Sequence, residues 1–285
     1  MLVHNPRFGY QPALACATCR APARCPRCQG PLARPSAGAA PGCRWCGHVP
    51  ESWACPHCQG DRLRSPVVGS LRTAEEWGRS FASVPVATYG GDHVLDEVPD
   101  WPGGRGIMIA TPGAEPVAEG GYAAAVLLDT WLSLSLPGLR ATEESVRRWF
   151  AIASLVRPGD AGGRVIAVGE PTVPALQALV RWDPEGFAAR ELAERTSAHL
   201  TPAARLATIS GPAEAVTEAL AALRLPRLAE VLGPVDGDEG TARVVVRASR
   251  DRGAGLSKAL VDLQAGRSTR KLPPVRVQVD PTDLV

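Results

Sequence analysis

The sequence predicts an α/β protein: a parallel-sheet unit, a metal-binding cysteine module inserted near its start, and a small α+β unit behind it. Three observations carry this. All eight cysteines of the 285 residues fall between Cys16 and Cys58, in four C-x2-C pairs. Residues 62–182 alternate short apolar runs with amphipathic stretches, the mark of a parallel sheet with helical crossovers. From residue 183 the pattern reads β-α-β-β-α-β. The segments implied are 1–15, which opens the parallel-sheet unit; 16–61, the cysteine module; 62–182, the rest of that unit; and 183–285, the α+β unit.

Leu2 and Val3 open the chain as a strand whose sheet partners are expected earlier in the polypeptide. Residues 16–58 are rich in Pro, Gly and Arg, and only Leu32, Trp45, Val49 and Trp53 offer sizeable apolar side chains. So few cannot offset the ordering entropy of more than forty residues, and metal must supply the difference. A strand is then read at PVVGS (66–70), a helix at TAEEWGRSF with Thr73 as its cap, and strands at VPVATY, GIMIAT and AAAVLLD. ATEESVRRWFAIASLV reads as a long helix with Thr142 as N-cap and Glu143 and Glu144 in its first turn. RVIAVGE is a strand and VPALQALVRW a helix, the sheet being covered on both faces. The charged helical stretch WDPEGFAARELAERT marks a boundary near residue 183. Beyond it come the strand RLATIS, the helix AEAVTEALAAL, the strands LAEVLGPV and ARVVVRAS, the helix LSKALVDLQAG and the strand VRVQVDP.

The cysteine pairs, Cys16/Cys19, Cys25/Cys28, Cys43/Cys46 and Cys55/Cys58, each place two thiolates on one tight turn, half of a tetrahedral site. Four pairs make two four-cysteine zinc sites. The N-terminus carries no secretory signal, so a reducing, cytoplasmic setting favours metal over disulfides. Gly47 directly follows one pair, and the other three lack that glycine. Joining adjacent pairs leaves only five residues between Cys19 and Cys25, which is tight. Nesting sets Cys16, Cys19, Cys55 and Cys58 around one ion and Cys25, Cys28, Cys43 and Cys46 around the other; a crossed arrangement stays open. His48 and His57 are read as surface residues, because eight thiolates already saturate two tetrahedra. Closed sites leave no open position for catalysis. Trp45 and Trp53 are assigned to packing, with stacking on unpaired bases as the alternative.

The chain is 45% hydrophobic and 21% charged, and no apolar run approaches a bilayer span. That excludes wholesale disorder and points to no membrane partner. A net charge of +2 hides two basic ends: residues 1–58 hold six arginines against Glu51, and residues 241–285 hold nine bases against four acids. A polyanion should meet those ends. Lys258 and Lys271 are the only lysines, and neither follows a glycine. A phosphate-cradling P-loop needs a Gly-Lys-Ser/Thr step, so nucleotide hydrolysis by that route is excluded for these residues. His93, with Asp92, Asp96, Glu97 and Asp100, reads as a solvated loop, and WPGGRG (101–106) as a turn.

NPRFGY (Asn5 to Tyr10) running into C-x2-C and three further pairs resembles the PriA family of replication-restart primosome proteins, also called primosomal protein N-prime. VVGSLRTAEEW, AVLLD ending at Asp129, VLGPV (Val231 to Val235) and VQVDP (Val277 to Pro281) are similar to later parts of that family. The likeness covers nearly the whole chain but only about the C-terminal half of a typical member. It implies a RecA-like helicase lobe 2 with an inserted two-zinc, eight-cysteine module, followed by a C-terminal α+β domain that helps bind branched, fork-like DNA. It also implies nested pairing of the cysteines, two Zn2+ as cofactors, and branched or single-stranded, fork-like DNA with other primosome and replication proteins as partners.

The departures from the family are informative. Where a working lobe 2 carries a lysine-glycine step and an arginine-rich stretch, this chain reads TPGAEPVAEGG and AIASLVRPGDAGG. Arg157 alone is a poor arginine finger. The chain resembles the degenerate actinobacterial type, whose helicase motifs are unrecognisable, so no catalytic residue is expected. The acids Asp236, Asp238 and Glu239 follow GPV where the family often has bases. The basic residues Arg243, Arg247, Arg250, Arg270 and Lys271, with Arg252 nearby, are the candidate phosphate contacts.

Overall fold

The computed structural model of the chain describes residues 1–6, 13–34, 39–65, 70–90, 97–98, 101–136, 138–237 and 240–282. They divide into two compact units, residues 1–182 and the residues from Asp183 onward. Most of the expected strand at PVVGS, the residues Arg7 to Tyr10 of NPRFGY, His93 with Asp92, Asp96 and Asp100, and the acids Asp238 and Glu239 lie outside the described residues.

The first unit starts with β1 (Leu2–His4) and passes into four two-residue strands of the cysteine module: β2 (Ala15–Cys16), β3 (Leu32–Ala33), β4 (Gly42–Cys43) and β5 (Leu63–Arg64). It continues through α1 (Ser70–Ser80), β6 (Val86–Tyr89), β7 (Ile107–Ala110), β8 (Ala124–Leu127), α2 (Thr130–Leu134), α3 (Ala141–Ser154), β9 (Arg164–Ala167) and α4 (Pro174–Arg181). WPGGRG forms a short 3-10 turn over Pro102–Gly104. Strands β6-β7-β1-β8-β9 make one sheet in that order, all pairs parallel.

The expectation that the partners of β1 precede it is wrong. It lies at the sheet's centre, between β7 and β8, both later in the chain. Apolar run length reveals that a strand is buried, but its position in a sheet depends on crossovers far along the sequence.

Strand alternation divides the core of this unit. Val3, Ile109 and Val126 face one side, where Ala74 and Trp77 of α1 pack on them. Leu2, Met108 and Ala125 face the other and are fully buried. Trp149, Ile152 and Val146 give α3 its buried stripe. The edge strand β9 departs from the expected two-sided cover, because Val165 and Ile166 are 39% and 52% exposed.

Two helix starts differ from the sequence reading. Helix α1 begins at Ser70, so Thr73 lies inside it, buried, and its Oγ1 accepts a hydrogen bond from Asn5 Nδ2 at 3.3 Å. Helix α3 is entered through Arg140 without a side-chain cap, and Thr142 falls in the first turn beside Glu143 and Glu144. Capping signals mark a region within a few residues, and packing decides which turn starts the helix.

Buried His4, at the end of β1, pairs with Glu115 at 2.9 Å, and Gly113 N–H donates to the other carboxylate oxygen at 2.9 Å. Burial raises the Glu115 pKa, but His4 and the backbone amides of Glu115 and Gly113 together outweigh it and hold the group below its ordinary 4.5. A depressed folded-state carboxylate stabilises above the unfolded-state pKa, and that stability is lost as pH falls through the folded value. Glu115→Gln is therefore expected to lower stability at neutral pH and to leave the difference from wild type shrinking below about pH 4.5. Urea unfolding at pH 7 and pH 3.5 checks it.

The second unit contains α5 (Pro184–Ser197), β10 (Ala204–Pro212), α6 (Ala213–Ala222), β11 (Glu230–Asp236), β12 (Thr241–Ser249), α7 (Gly253–Thr269) and β13 (Arg276–Val279). Asp183 caps α5 by accepting from Gly186 N–H at 2.8 Å, with Pro184 at the first helical position. After α5 the order is β-α-β-β-α-β, as the residue pattern predicts. The antiparallel sheet runs β11-β12-β10-β13. Its core joins Ala207 and Ile209 of β10 and Ala242, Val244, Val246 and Ala248 of β12 to Val216 and Ala219 of α6 and Leu256, Leu260 and Leu263 of α7. Both helices thus cover one face of the sheet. Among the described residues no helix is long and apolar enough to cross a membrane.

Candidate metal centre and basic surface

The eight sulfurs gather into two clusters: Cys16, Cys19, Cys55 and Cys58 in one, Cys25, Cys28, Cys43 and Cys46 in the other, with all four Sγ atoms of each within 4.8 Å of one another. Of the three ways to join the pairs, this is the nested one. Separations include 3.5 Å for Cys16–Cys58 and Cys19–Cys55, 3.4 Å for Cys28–Cys43 and 3.8 Å for Cys25–Cys46. A disulfide needs about 2.05 Å. Four thiolates about 2.3 Å from a central ion stand roughly 3.8 Å apart by tetrahedral geometry, so both clusters fit a tetrahedral, sulfur-binding ion. No histidine joins either cluster among the described residues.

Backbone geometry repeats at all four pairs. The amide four residues after each first cysteine donates to that cysteine's carbonyl: Arg20 to Cys16, Gln29 to Cys25, Gly47 to Cys43 and Gln59 to Cys55, at 2.8–3.1 Å. The first cysteine's own amide reaches the carbonyl five residues on, as from Cys25 to Gly30 at 2.8 Å. Amides also point at sulfur, with Thr18, Arg27 and Trp45 N–H each 3.4 Å from the preceding cysteine Sγ. The residue after each second cysteine takes positive φ: Arg20 65°, Gln29 61°, Gly47 70°, Gln59 61°. The glycine signal at Gly47 was thus one case of a fourfold requirement. A non-glycine residue pays about 1–2 kcal/mol there. Gln29→Gly is expected to stabilise the module by about 1 kcal/mol, read as slower metal loss to a competing chelator.

The thiols of one cluster do not ionise alike. The Cys19 amide leads the forces that bring Cys16 down to about 6, and the His48 amide leads those that bring Cys46 to about 7. For Cys19 and Cys28 the amides of Ala21 and Gly30 favour the thiolate, but burial and the neighbouring sulfurs outweigh them and push both to about 12. Four sulfurs so close cannot all ionise unless a cation sits among them, and a dication makes that possible.

The outer cluster closes the base of the module, since β2 and β5 pair there with Cys16 opposite Leu63. The inner cluster is framed by the β3–β4 ladder, with Leu32 opposite Cys43. Between them lies a small core of Leu14, Ala23, Cys25, Leu32 and Cys43, with Trp53 and Leu63 against it.

The five basic candidates do not share one surface. Because Ala242, Val244, Val246 and Ala248 face the helices, Arg243 and Arg247 project from the opposite side of β12. Arg247 makes a two-pronged pair with Glu230 and also donates to the Ala198 carbonyl at 3.0 Å. The Glu230 carboxyl is held below its usual value chiefly by Arg247. Arg250 is exposed just past β12 and donates to the Pro202 carbonyl at 2.8 Å. Arg270 and Lys271 follow α7 and so belong to the helical layer. Register adds a residue the sequence reading missed: Arg276 on β13 stands opposite Ser210, itself opposite Arg243. Val235, Arg243, Ser210 and Arg276 form one row across the sheet, with the arginines about 10 Å apart by strand spacing. Only strand pairing could reveal this.

A family profile described as the primosomal protein N C-terminal domain matches residues 196–282, the part of the second unit from the end of α5 through β13. The chain is 46% identical over 303 aligned positions to the replication restart protein PriA of Mycobacterium tuberculosis, covering 99% of this chain and 46% of that protein. The Mycobacterium leprae protein of the same name is 44% identical, again over 99% of this chain and 45% of its own length. That of Treponema pallidum is 28% identical over 80% of this chain and 37% of its own. The chain spans about half the length of the mycobacterial relatives it matches. Nearly the whole of these 285 residues is therefore PriA-family sequence, including the family's C-terminal domain.

Proposed function

We propose that this chain is a zinc-binding, DNA-binding primosome component of replication restart at stalled forks, working in the cytoplasm without helicase activity of its own. The carrying observation is the similarity to PriA across 99% of the chain. Two all-sulfur clusters of tetrahedral size suit zinc, which would act as a structural staple. The parallel sheet of the first unit is consistent with a degenerate RecA-like lobe, and the missing Gly-Lys step leaves it nothing with which to cradle a nucleotide phosphate.

Branched DNA would meet the second unit through the exposed Arg243 and Arg276 on the sheet face away from α6 and α7, with Arg250, Arg270 and Lys271 as further phosphate contacts. Binding of the metal-loaded chain to a fork and to blunt duplex, measured across a salt titration, tests the reading. The fork should bind tighter, and equal binding at every salt concentration overturns it. Arg243→Ala with Arg276→Ala should flatten the log–log salt slope by about 2, close to one unit for each phosphate no longer neutralised.

A second reading has one observation in its favour. With two dications bound, the arginines of residues 16–58 are offset by Glu51 and a charge of about −2 on each four-thiolate centre, so the module is nearly neutral. It would then serve as a docking surface for replication proteins. Recovery of a primosome protein by the zinc-loaded chain, lost on chelation, would favour this role for the module.

A further inference from the structure

We infer that the Trp45 indole is a stacking platform for an unpaired nucleobase, set at the rim of the inner cysteine cluster. It rests on the DNA-binding reading above and adds the place where a single-stranded base is held. The structure separates the module's two tryptophans. Trp53 packs against the small core and donates its Nε1–H to the Arg24 carbonyl at 3.1 Å. Trp45, inside the Cys43–Cys46 turn, keeps 45% of its surface exposed.

That exposed ring is fixed in place. Its Nε1–H donates to the Ser135 carbonyl at 3.2 Å, tying it to the segment after α2. Beneath it lies Gly30, where a Cβ would stand 2.8 Å from Trp45 Cγ. The absence of that carbon lets the indole lie against the backbone of the facing turn. A ring held along one edge and supported from below loses little further freedom when a second ring stacks on it.

The surroundings favour a base over a phosphate or an apolar side chain. The metal-loaded module is nearly neutral and so has little long-range pull on phosphates, whereas stacking on a π face needs no net charge. Arg27, exposed in the facing turn of the same cluster, supplies a cation for the adjoining backbone. The second unit has the opposite endowment: its only Phe, Tyr or Trp is Phe187, which is buried. It can offer charge but no exposed benzene or indole face. The geometry divides the work, with charge in the second unit and stacking in the module.

The test uses the metal-loaded 285-residue chain, an oligo(dT) strand, a fork with a single-stranded gap and a blunt duplex, with affinity read by fluorescence anisotropy. Trp45→Ala and Trp45→Leu should each weaken oligo(dT) and gapped-fork binding about 5- to 150-fold. Trp45→Phe should stay within about 3-fold of wild type, because a ring remains. Duplex affinity, the salt slope and two metal ions per chain should be unchanged in all three. Wild-type affinity for oligo(dT) in Trp45→Ala, an equal loss on duplex, or full binding by Trp45→Leu overturns the inference while leaving DNA binding intact. So does loss of a captured primosome protein with oligo(dT) binding unchanged, which would assign the ring to a protein. A wild-type chain that binds no DNA at all instead fails the reading on which it rests.

Discussion

Cys16→Ser is expected to take the chain from two bound metal ions to one under mild chelation and to unfold the base of the cysteine module. Cys16 sits on β2, where the chain enters the module, and its cluster partners Cys55 and Cys58 precede β5, where it leaves. The apolar core between the clusters consists of little more than Leu14, Leu32, Trp53 and Leu63. Ordering each backbone residue costs about 1–2 kcal/mol, so a core of this size cannot hold residues 16–61 together. Structural zinc contributes on the order of 10–16 kcal/mol in small domains. Cys25→Ser should also lose one ion, but from the inner cluster, leaving the entrance and exit stapled. Metal counting, with limited proteolysis of the module, separates the two. Retention of both ions by Cys16→Ser would contradict the outer cluster, and an identical cleavage pattern in the two variants would contradict the different roles given to them.

Trp149→Ala is expected to destabilise the first unit by about 3–5 kcal/mol. Trp149 lies on the buried stripe of α3 with 1% of its surface exposed, and it heads the fully buried side chains by volume. Its removal leaves a void that the parallel sheet beneath α3 cannot close without moving strands held on both sides. Val180→Ala is the companion measurement: that side chain is 74% exposed, and its truncation should cost within about 0.5 kcal/mol. Urea midpoints for both variants, set beside wild type, check the contrast. A Trp149→Ala midpoint no lower than that of Val180→Ala would show that the sheet and α3 do not pack as described.

Much of the architecture was legible because its signals are local. Apolar runs such as GIMIAT and AAAVLLD became β7 and β8, and the β-α-β-β-α-β order behind α5 was present in the residue pattern. The C-x2-C spacing announced the turns, since two cysteines three positions apart can share one ion only on such a turn. The capping readings at Thr73 and Thr142 failed for the opposite reason. Both are good cap residues locally, but Asn5 claimed Thr73 across 68 positions, a partnership no nearby residue discloses. The pairing of His4 with Glu115 across 111 positions was missed likewise.

The sequence by itself determined the α/β class, the place of the cysteine module, its potential metal ligands and the absence of a Gly-Lys-Ser/Thr step in these residues. Each follows from residue type and short-range spacing. Only the tertiary structure decided which cysteines share a cluster, that β1 is central, that Arg276 and not Lys271 stands in the row of Arg243, and that Trp45 is open while Trp53 is covered. Those are questions of which distant segments become neighbours. Strand register and close packing answer them through contacts that span tens of residues and leave no periodic trace along the chain.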